Sequence, residues 1–241
     1  VFRVFDDGVG FRYDVPAQPR LAEAQIVQEL TEFAIARPAT AWWIPAFEWN
    51  REEYLYHRTP LAEIGVAQTP ITLRTDDGLH VSIHEAALVD YAGMNLMRGD
   101  SGALRAILTP GSGVAPVVRK TPFATPWRTI AISDRAGGLV ESNLILNLNE
   151  PNALGDVSWF KPHKYVGIWW SLHLGTQTWS FFFNDAATTE NTRRYIEFAA
   201  ANGFRGVLVE GWNIGWDGDW FANGWGFDFR KPTPDYDLHG L

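Results

Sequence analysis

The sequence predicts an α+β chain in two parts: an antiparallel β-sandwich over residues 1–150, then strand–helix–strand units over residues 151–241. Three observations carry this. Short apolar–polar alternations punctuated by Asp, Gly and Pro fill the first part. In the second, the amphipathic run "TTENTRRYIEFAAANGF" stands between two apolar strands. The later of those strands, "GVLV", has no alternation and ends on a carboxylate, Glu210.

"VFRVFDDGVGFRYDVP" alternates around an Asp-Asp-Gly turn, as a hairpin does. "TPITLRTDDGLHVSIHEAAL" repeats the device, with "ITLRT" and "HVSIH" flanking Asp76, Asp77 and Gly78. Further strands are expected in "LTEFAIA", "ALRAILTP", "VAPVVRK", "WRTIAISD" and "LVESNLILNL", while "PRLAEAQIVQEL" fits a short helix or a strand. Many short, punctuated strands make a sandwich.

After "NEPN", "KYVGIWWSLH" reads as an apolar strand. The helix that follows takes Thr188 or Thr189 as cap and carries Glu190 in its first turn. Tyr195, Phe198 and Ala199 share one face, and Gly203 ends it. Strand, helix, strand implies parallel strands, and "GVLV" is expected to be covered on both faces. The connection from His173 to Thr188 exceeds the usual span of about 2–6 residues. The segment after Asn213 is longer still and holds Trp216, Trp220, Phe221, Trp225, Phe227 and Phe229.

With 241 residues, 46% of them hydrophobic, the chain can bury a substantial core. A net charge of -8 argues against nucleic-acid binding, which needs a basic face. No apolar run approaches the roughly 18 residues that span a bilayer, so no membrane insertion is expected. The absence of Cys excludes disulfides, thiolate metal sites and a cysteine nucleophile. The chain begins at Val1 and stops after only two βα units, and it reads as a fragment or a processed chain. No nucleotide-binding, P-loop, zincin or nucleophile-elbow motif occurs. "DGDW" at Asp217–Trp220 lacks the spacing of a calcium loop and reads as a turn. Twelve Trp, several beside Gly and Asn, point to a ligand surface where a flat ring packs on a sugar, although any one Trp serves equally as core filler.

Ligands of parallel α/β sheets bind at the carboxyl ends of the strands. Glu210 stands there, either contacting substrate or salt-bridged to a neighbouring loop. Trp212 and Asn213 continue the same rim. On the preceding strand Trp169, Trp170 and His173 hold the equivalent place. Adjacent strand residues point to opposite sides, so one Trp at most faces the interior. His173 is either a sugar-hydroxyl partner or a satisfied loop residue. Glu85 shares a strand face with Val81 and Ile83, which is costly unless a cation or a set of hydrogen bonds meets it. Ca2+, which takes oxygen ligands, is one such cation; a strand-end Glu turned to solvent is the plainer alternative.

The phrases "VFDDGVGFRYDVP", "RTPLAEI", "SIHEAALVDYAGMNL", "TPWRTIAISD", "NLNEPN", "WFKPHKYVGIWWSLH", "ATTENTRRYIEFAAANGFRGVLVEGWN" and "PDYDL" resemble glycoside hydrolase family 97, in family order over nearly the whole chain. The resemblance implies an N-terminal, galactose-mutarotase-like β-super-sandwich followed by a catalytic (β/α)8 TIM barrel, of which this truncated chain would hold the first two strands. It implies that Glu85 ligates Ca2+ at the barrel site, that Trp169 or Trp170 lines the sugar pocket, and that Glu210 sits at the barrel mouth. The carboxylates of the reaction would lie beyond Leu241, so no catalytic residue is assigned. "TWSFFFNDAATTE" and Ala92 depart from the family pattern.

The expected parent is a Ca2+-dependent α-glucosidase or α-galactosidase acting on an oligosaccharide or α-glycoside, periplasmic or secreted by resemblance. The alternative is a non-catalytic carbohydrate-binding protein that holds glycan with its Trp-rich loops.

Overall fold

A computed structural model describes residues 1–48, 54–217 and 224–241, with the side chain of Trp225 outside the description. Two compact units result, Val1–Ala153 and Leu154–Leu241.

In the first unit a seven-stranded antiparallel sheet runs in the order β1 (Phe2–Phe5), β2 (Gly8–Phe11), β15 (Trp127–Ser133), β10 (His80–Ala86), β9 (Ile71–Thr75), β6 (Ala39–Trp43), β7 (His57–Pro60). A four-stranded sheet orders β5 (Glu32–Phe33), β12 (Leu104–Leu108), β11 (Met94–Arg98) and β8 (Ala67–Gln68). Two ribbons pair β4 (Glu23–Ile26) with β13 (Val117–Lys120), and β3 (Asp14–Val15) with β14 (Phe123–Ala124). Leu73, Val81 and Ile83 of the larger sheet and Leu96, Leu104 and Ala106 of the smaller belong to one buried cluster. A core drawn from both sheets is what a sandwich requires.

Both Asp-Asp turns form as the alternation predicts. Phe5 pairs with Gly8 across Asp6 and Asp7. Arg74 pairs with His80, and Gly78 adopts φ 98°, the left-handed backbone such turns ask of glycine. Strand β10 buries Val81, Ile83 and Glu85 and leaves His80, Ser82 and His84 half-buried, so the two-residue period holds through Glu85, and the final Ala86 is buried as well.

"LVESNLILNL" is not a strand. It forms two short helices, α1 (Ala136–Glu141) and α2 (Leu144–Leu148). Leu144 and Leu148, one helical turn apart, pack with Trp127 and Ala86, and a short apolar run does not by itself distinguish helix from strand. The glycines of β2 make room for them: a Cβ on Gly10 would lie 2.4 Å from Leu148 Cδ1. The expected strand in "LTEFAIA" shortens to β5, and "PRLAEAQIVQEL", open between helix and strand, supplies the strand β4.

Asp7 ties the first hairpin to these helices. Its Oδ2 accepts from the Ser142 hydroxyl at 2.6 Å and from the Asn143 amide at 3.0 Å. The Ser142 bond holds its carboxyl below the ordinary 3.8; burial opposes it, and the Asn143 amide adds a smaller lowering. A depressed carboxylate contributes stability that is present above its unfolded value and lost as pH falls through the folded one. Thermal melts of wild type below pH 3.8 are therefore expected to show a loss that Asp7→Asn reduces. Equal slopes in the two proteins would exclude the tie.

In the second unit β16 (Tyr165–Ile168) and β17 (Gly206–Val209) pair in parallel, Ile168 opposite Val209. Helix α4 (Thr189–Ala201) connects them and packs on both. The Thr188 hydroxyl caps α4 by accepting from the Asn191 amide, and Gly203 leaves it at φ 73°. Its first turn is also fastened to the chain's last residues. Asp235 O accepts from the Thr189 amide and hydroxyl, and the Thr189 hydroxyl accepts from the Asp237 amide.

Three expectations change here. Strand β16 stops at Ile168, and Trp170–His173 forms a helical turn, α3. Strand β17 is not covered on both faces, because Leu208 remains 42% exposed. Phe198 is 54% exposed and stacks on Phe204 rather than closing the inner face of α4. A last antiparallel pair joins β18 (Asn213–Ile214) to β19 (Asp228–Pro232).

Candidate functional site

Glu210 follows directly on β17. Its amide donates to Ile168 O, extending the ladder by one bond, and Gly211 then turns the chain at φ 92°. The carboxylate is half-buried, and Oε2 accepts from the indole Nε1 of Trp179 at 2.9 Å. Glu210 forms no salt bridge among the described residues. The salt-bridged alternative drawn from sequence is thereby replaced by a hydrogen bond from a neutral donor.

Trp179 belongs to the long loop between α3 and α4, and sequence reasoning missed it. The "TW" within "LGTQTWSFFF" was a signal of sorts, yet nothing in the pattern ties it to a residue 31 positions on. The loop is closed on itself: the Thr178 amide donates to Asn184 O and the Ala186 amide to Thr178 O. The Trp179 ring packs on Ile168, Leu172 and Ala186.

Because α3 begins at Trp170, Trp169 and Trp170 do not alternate across a strand. Their rings lie 5.7 Å apart and tilted by 45°, with Trp169 37% and Trp170 60% exposed. His173 comes off the same helical turn. Its ring stands edge-on between Trp169 at 4.5 Å and Trp179 at 5.5 Å. Trp169, His173, Trp179 and Glu210 thus form one continuous row at the carboxyl end of the parallel strands.

Trp212 is half-buried, its ring 6.0 Å from that of Tyr236. Asn213 differs from expectation. It is 1% exposed, its Oδ1 accepts from Trp216 Nε1 at 2.9 Å and its Nδ2 donates to Ile214 O, so it shapes the loop instead of facing outward. Trp216 meets Phe227 edge-on at 5.1 Å, and Phe227 stacks on Phe229. Trp220, Phe221, the Trp225 ring and most of "DGDW" lie outside the described residues.

In the first unit Glu85 is buried at 7% exposure, not turned to solvent. Its Oε1 accepts from the Met94 amide at 3.0 Å and its Oε2 from Arg128 Nη1 at 2.6 Å. Arg128, opposite Glu85 in the ladder and fully buried, also forks onto both oxygens of Glu29. The Thr31 hydroxyl donates to Glu29, and the Tyr91 ring lies 5.9 Å from the guanidinium. Sequence analysis named neither Arg128 nor Glu29. The cation that must meet Glu85 is therefore first an arginine.

Two carboxylates share this one guanidinium. Burial pushes the Glu85 carboxyl up, opposed by the Met94 amide and by Arg128, with the Glu29 charge adding to the rise. Burial of Arg128 works against its charge, and Glu29, then Glu85, hold it above the ordinary arginine range all the same. Glu85 fits Ca2+ as a single oxygen ligand, because each carboxylate oxygen keeps acceptor capacity beyond the bond it makes. It does not complete a site, since Ca2+ takes six to eight oxygens and no group of three or more acidic or His side chains among the described residues could hold a metal.

Comparison with known proteins first defines the class. The chain superposes on enzymes of glycoside hydrolase type from Pseudoalteromonas sp. strain K8. One is a complex with acarbose, at 56% identity and TM-score 0.90, covering 100% of this chain and 37% of that one. A variant of that enzyme in complex with panose matches equally. The family follows: residues 1–151 match the glycosyl-hydrolase 97 N-terminal model and residues 169–241 the glycoside hydrolase 97 model, and the chain belongs to glycoside hydrolase family 97. A retaining alpha-galactosidase of Bacteroides thetaiotaomicron is 24% identical over 90% of this chain and 37% of its own length. A probable retaining alpha-galactosidase of Streptomyces bingchenggensis is 26% identical over 93% and 34%. The chain thus spans about a third of the length of these relatives.

Proposed function

We propose that the protein carrying this chain hydrolyses terminal α-linked glucose or galactose, with α-glucosides favoured. The carrying observation is the row Trp169–His173–Trp179–Glu210: exposed aromatic surface beside a carboxylate, at the strand ends where parallel α/β folds bind ligands. The preference for glucosides is supported by acarbose and panose in structures 56% identical to this chain.

In this reading β16, α4 and β17 open a (β/α)8 barrel. Trp169 or Trp170 carries a sugar face, and Trp212 extends the rim. Glu210 and His173 hydrogen-bond sugar hydroxyls. The proton donor and the carboxylate that serves as base or nucleophile are supplied from outside these 241 residues. Glu85 would give one ligand to Ca2+, which when bound would orient carboxylates of the reaction. Export to the periplasm or beyond belongs to the same proposal and rests on family likeness.

A family-length polypeptide carrying this chain is expected to release p-nitrophenol from the aryl α-glucoside or the aryl α-galactoside, and the 241-residue chain alone from neither. If the family-length protein cleaves neither, while calorimetry shows it binding maltotriose or raffinose, it is a carbohydrate-binding protein and the hydrolase reading is lost.

A further inference from the structure

We propose that Trp179 is the positioning residue of Glu210, fixing the orientation in which its carboxylate meets the sugar; this rests on the sugar-binding role given to Glu210 above. An indole N–H has one proton and accepts nothing. Bonded to Oε2 at 2.9 Å, it takes one acceptor position of that oxygen and cannot reverse roles as a hydroxyl or an amide can. Oε1 has no hydrogen-bond partner among the described residues.

The donor itself is held on several sides. Its ring packs on Ile168, Leu172 and Ala186, meets His173 edge-on at 5.5 Å, and sits in a loop closed by the Thr178–Asn184 and Ala186–Thr178 bonds. The Glu210 backbone is fixed in turn by its amide bond to Ile168 O. With backbone and one oxygen both fixed, the carboxylate loses its torsional freedom before any ligand arrives. Binding is then spared that ordering cost. The indole N–H reaches the sugar only through Glu210, so the loss of that proton is felt only while Glu210 is present.

A double-mutant cycle in the family-length polypeptide, assayed on the aryl α-glycoside it cleaves, tests this. Trp179→Phe keeps a ring and removes the N–H; Glu210→Ala removes the acceptor. Trp179→Phe is expected to lower kcat/KM about tenfold, mostly through KM, with unchanged circular dichroism. In the Glu210→Ala background the same change is expected to cost less than about twofold. Equal penalties in both backgrounds would overturn the proposal. Trp179→His, which retains a ring N–H, provides a second variant: it is expected to stay within about threefold of wild type, and a loss equal to that of the Phe variant would refute the donor role. Should Glu210→Ala alone leave kcat/KM unchanged, the sugar-binding role of Glu210 fails, and the positioning role with it.

Discussion

Arg128→Met is expected to destabilise the first unit by about 3–5 kcal/mol. The side chain is fully buried and is shared by Glu29 and Glu85, each 7% exposed. Methionine fills much of the volume and leaves two carboxylates facing each other with little access to water. The cost is chiefly that of the abandoned charges, not the net value of the ion pairs, because such pairs give back much of their attraction as lost hydration. Replacing all three residues with apolar ones of similar size is accordingly expected to recover most of the loss. Urea unfolding followed by circular dichroism checks both. A single-variant loss below about 1 kcal/mol, the scale of an exposed pair, would mean that the cluster is hydrated.

Glu210→Ala is expected to lower kcat/KM of the family-length enzyme about 10–100-fold while leaving the unfolding midpoint within a degree or so of wild type. The range is that of one hydrogen bond to a charged group. Stability is expected to hold because Glu210 is only half-buried and its bond to Trp179 joins two residues at the end of the strands. Steady-state kinetics on aryl α-glycosides, with a melt of each protein, measure the two quantities. A large drop in melting temperature together with unchanged kcat/KM would reverse the assignment and make Glu210 a structural residue.

What was legible in the sequence was local. The Asp-Asp turns, a Thr cap at 188 or 189 and the place of Glu85 on the face of Val81 and Ile83 each follow from a few neighbouring residues and a period of two or 3.6, although that period left a solvent-turned Glu85 as the plainer reading. What was not legible depends on register between distant segments. Arg128 meets Glu85 because β15 pairs with β10 in one register, and Glu29 reaches it from 99 positions away. Neither distance leaves a trace in spacing. The strand expected at "LILNL" became α2 because Leu144 and Leu148, four apart, fit the space left by Gly8 and Gly10, a match visible only once β2 lies beneath them. Trp169 and Trp170 were placed on opposite sides of a strand that ends at Ile168, before either of them.

The fastening of Thr189 by Asp235 and Asp237 gives the second unit an order of assembly. The Thr188 cap needs only Asn191, three residues on, whereas the adjoining bonds draw on partners 46 and 48 positions downstream. During synthesis this helix can wind as soon as its own residues emerge, but its entry stays half-secured until the stretch through Asp237 has left the ribosome.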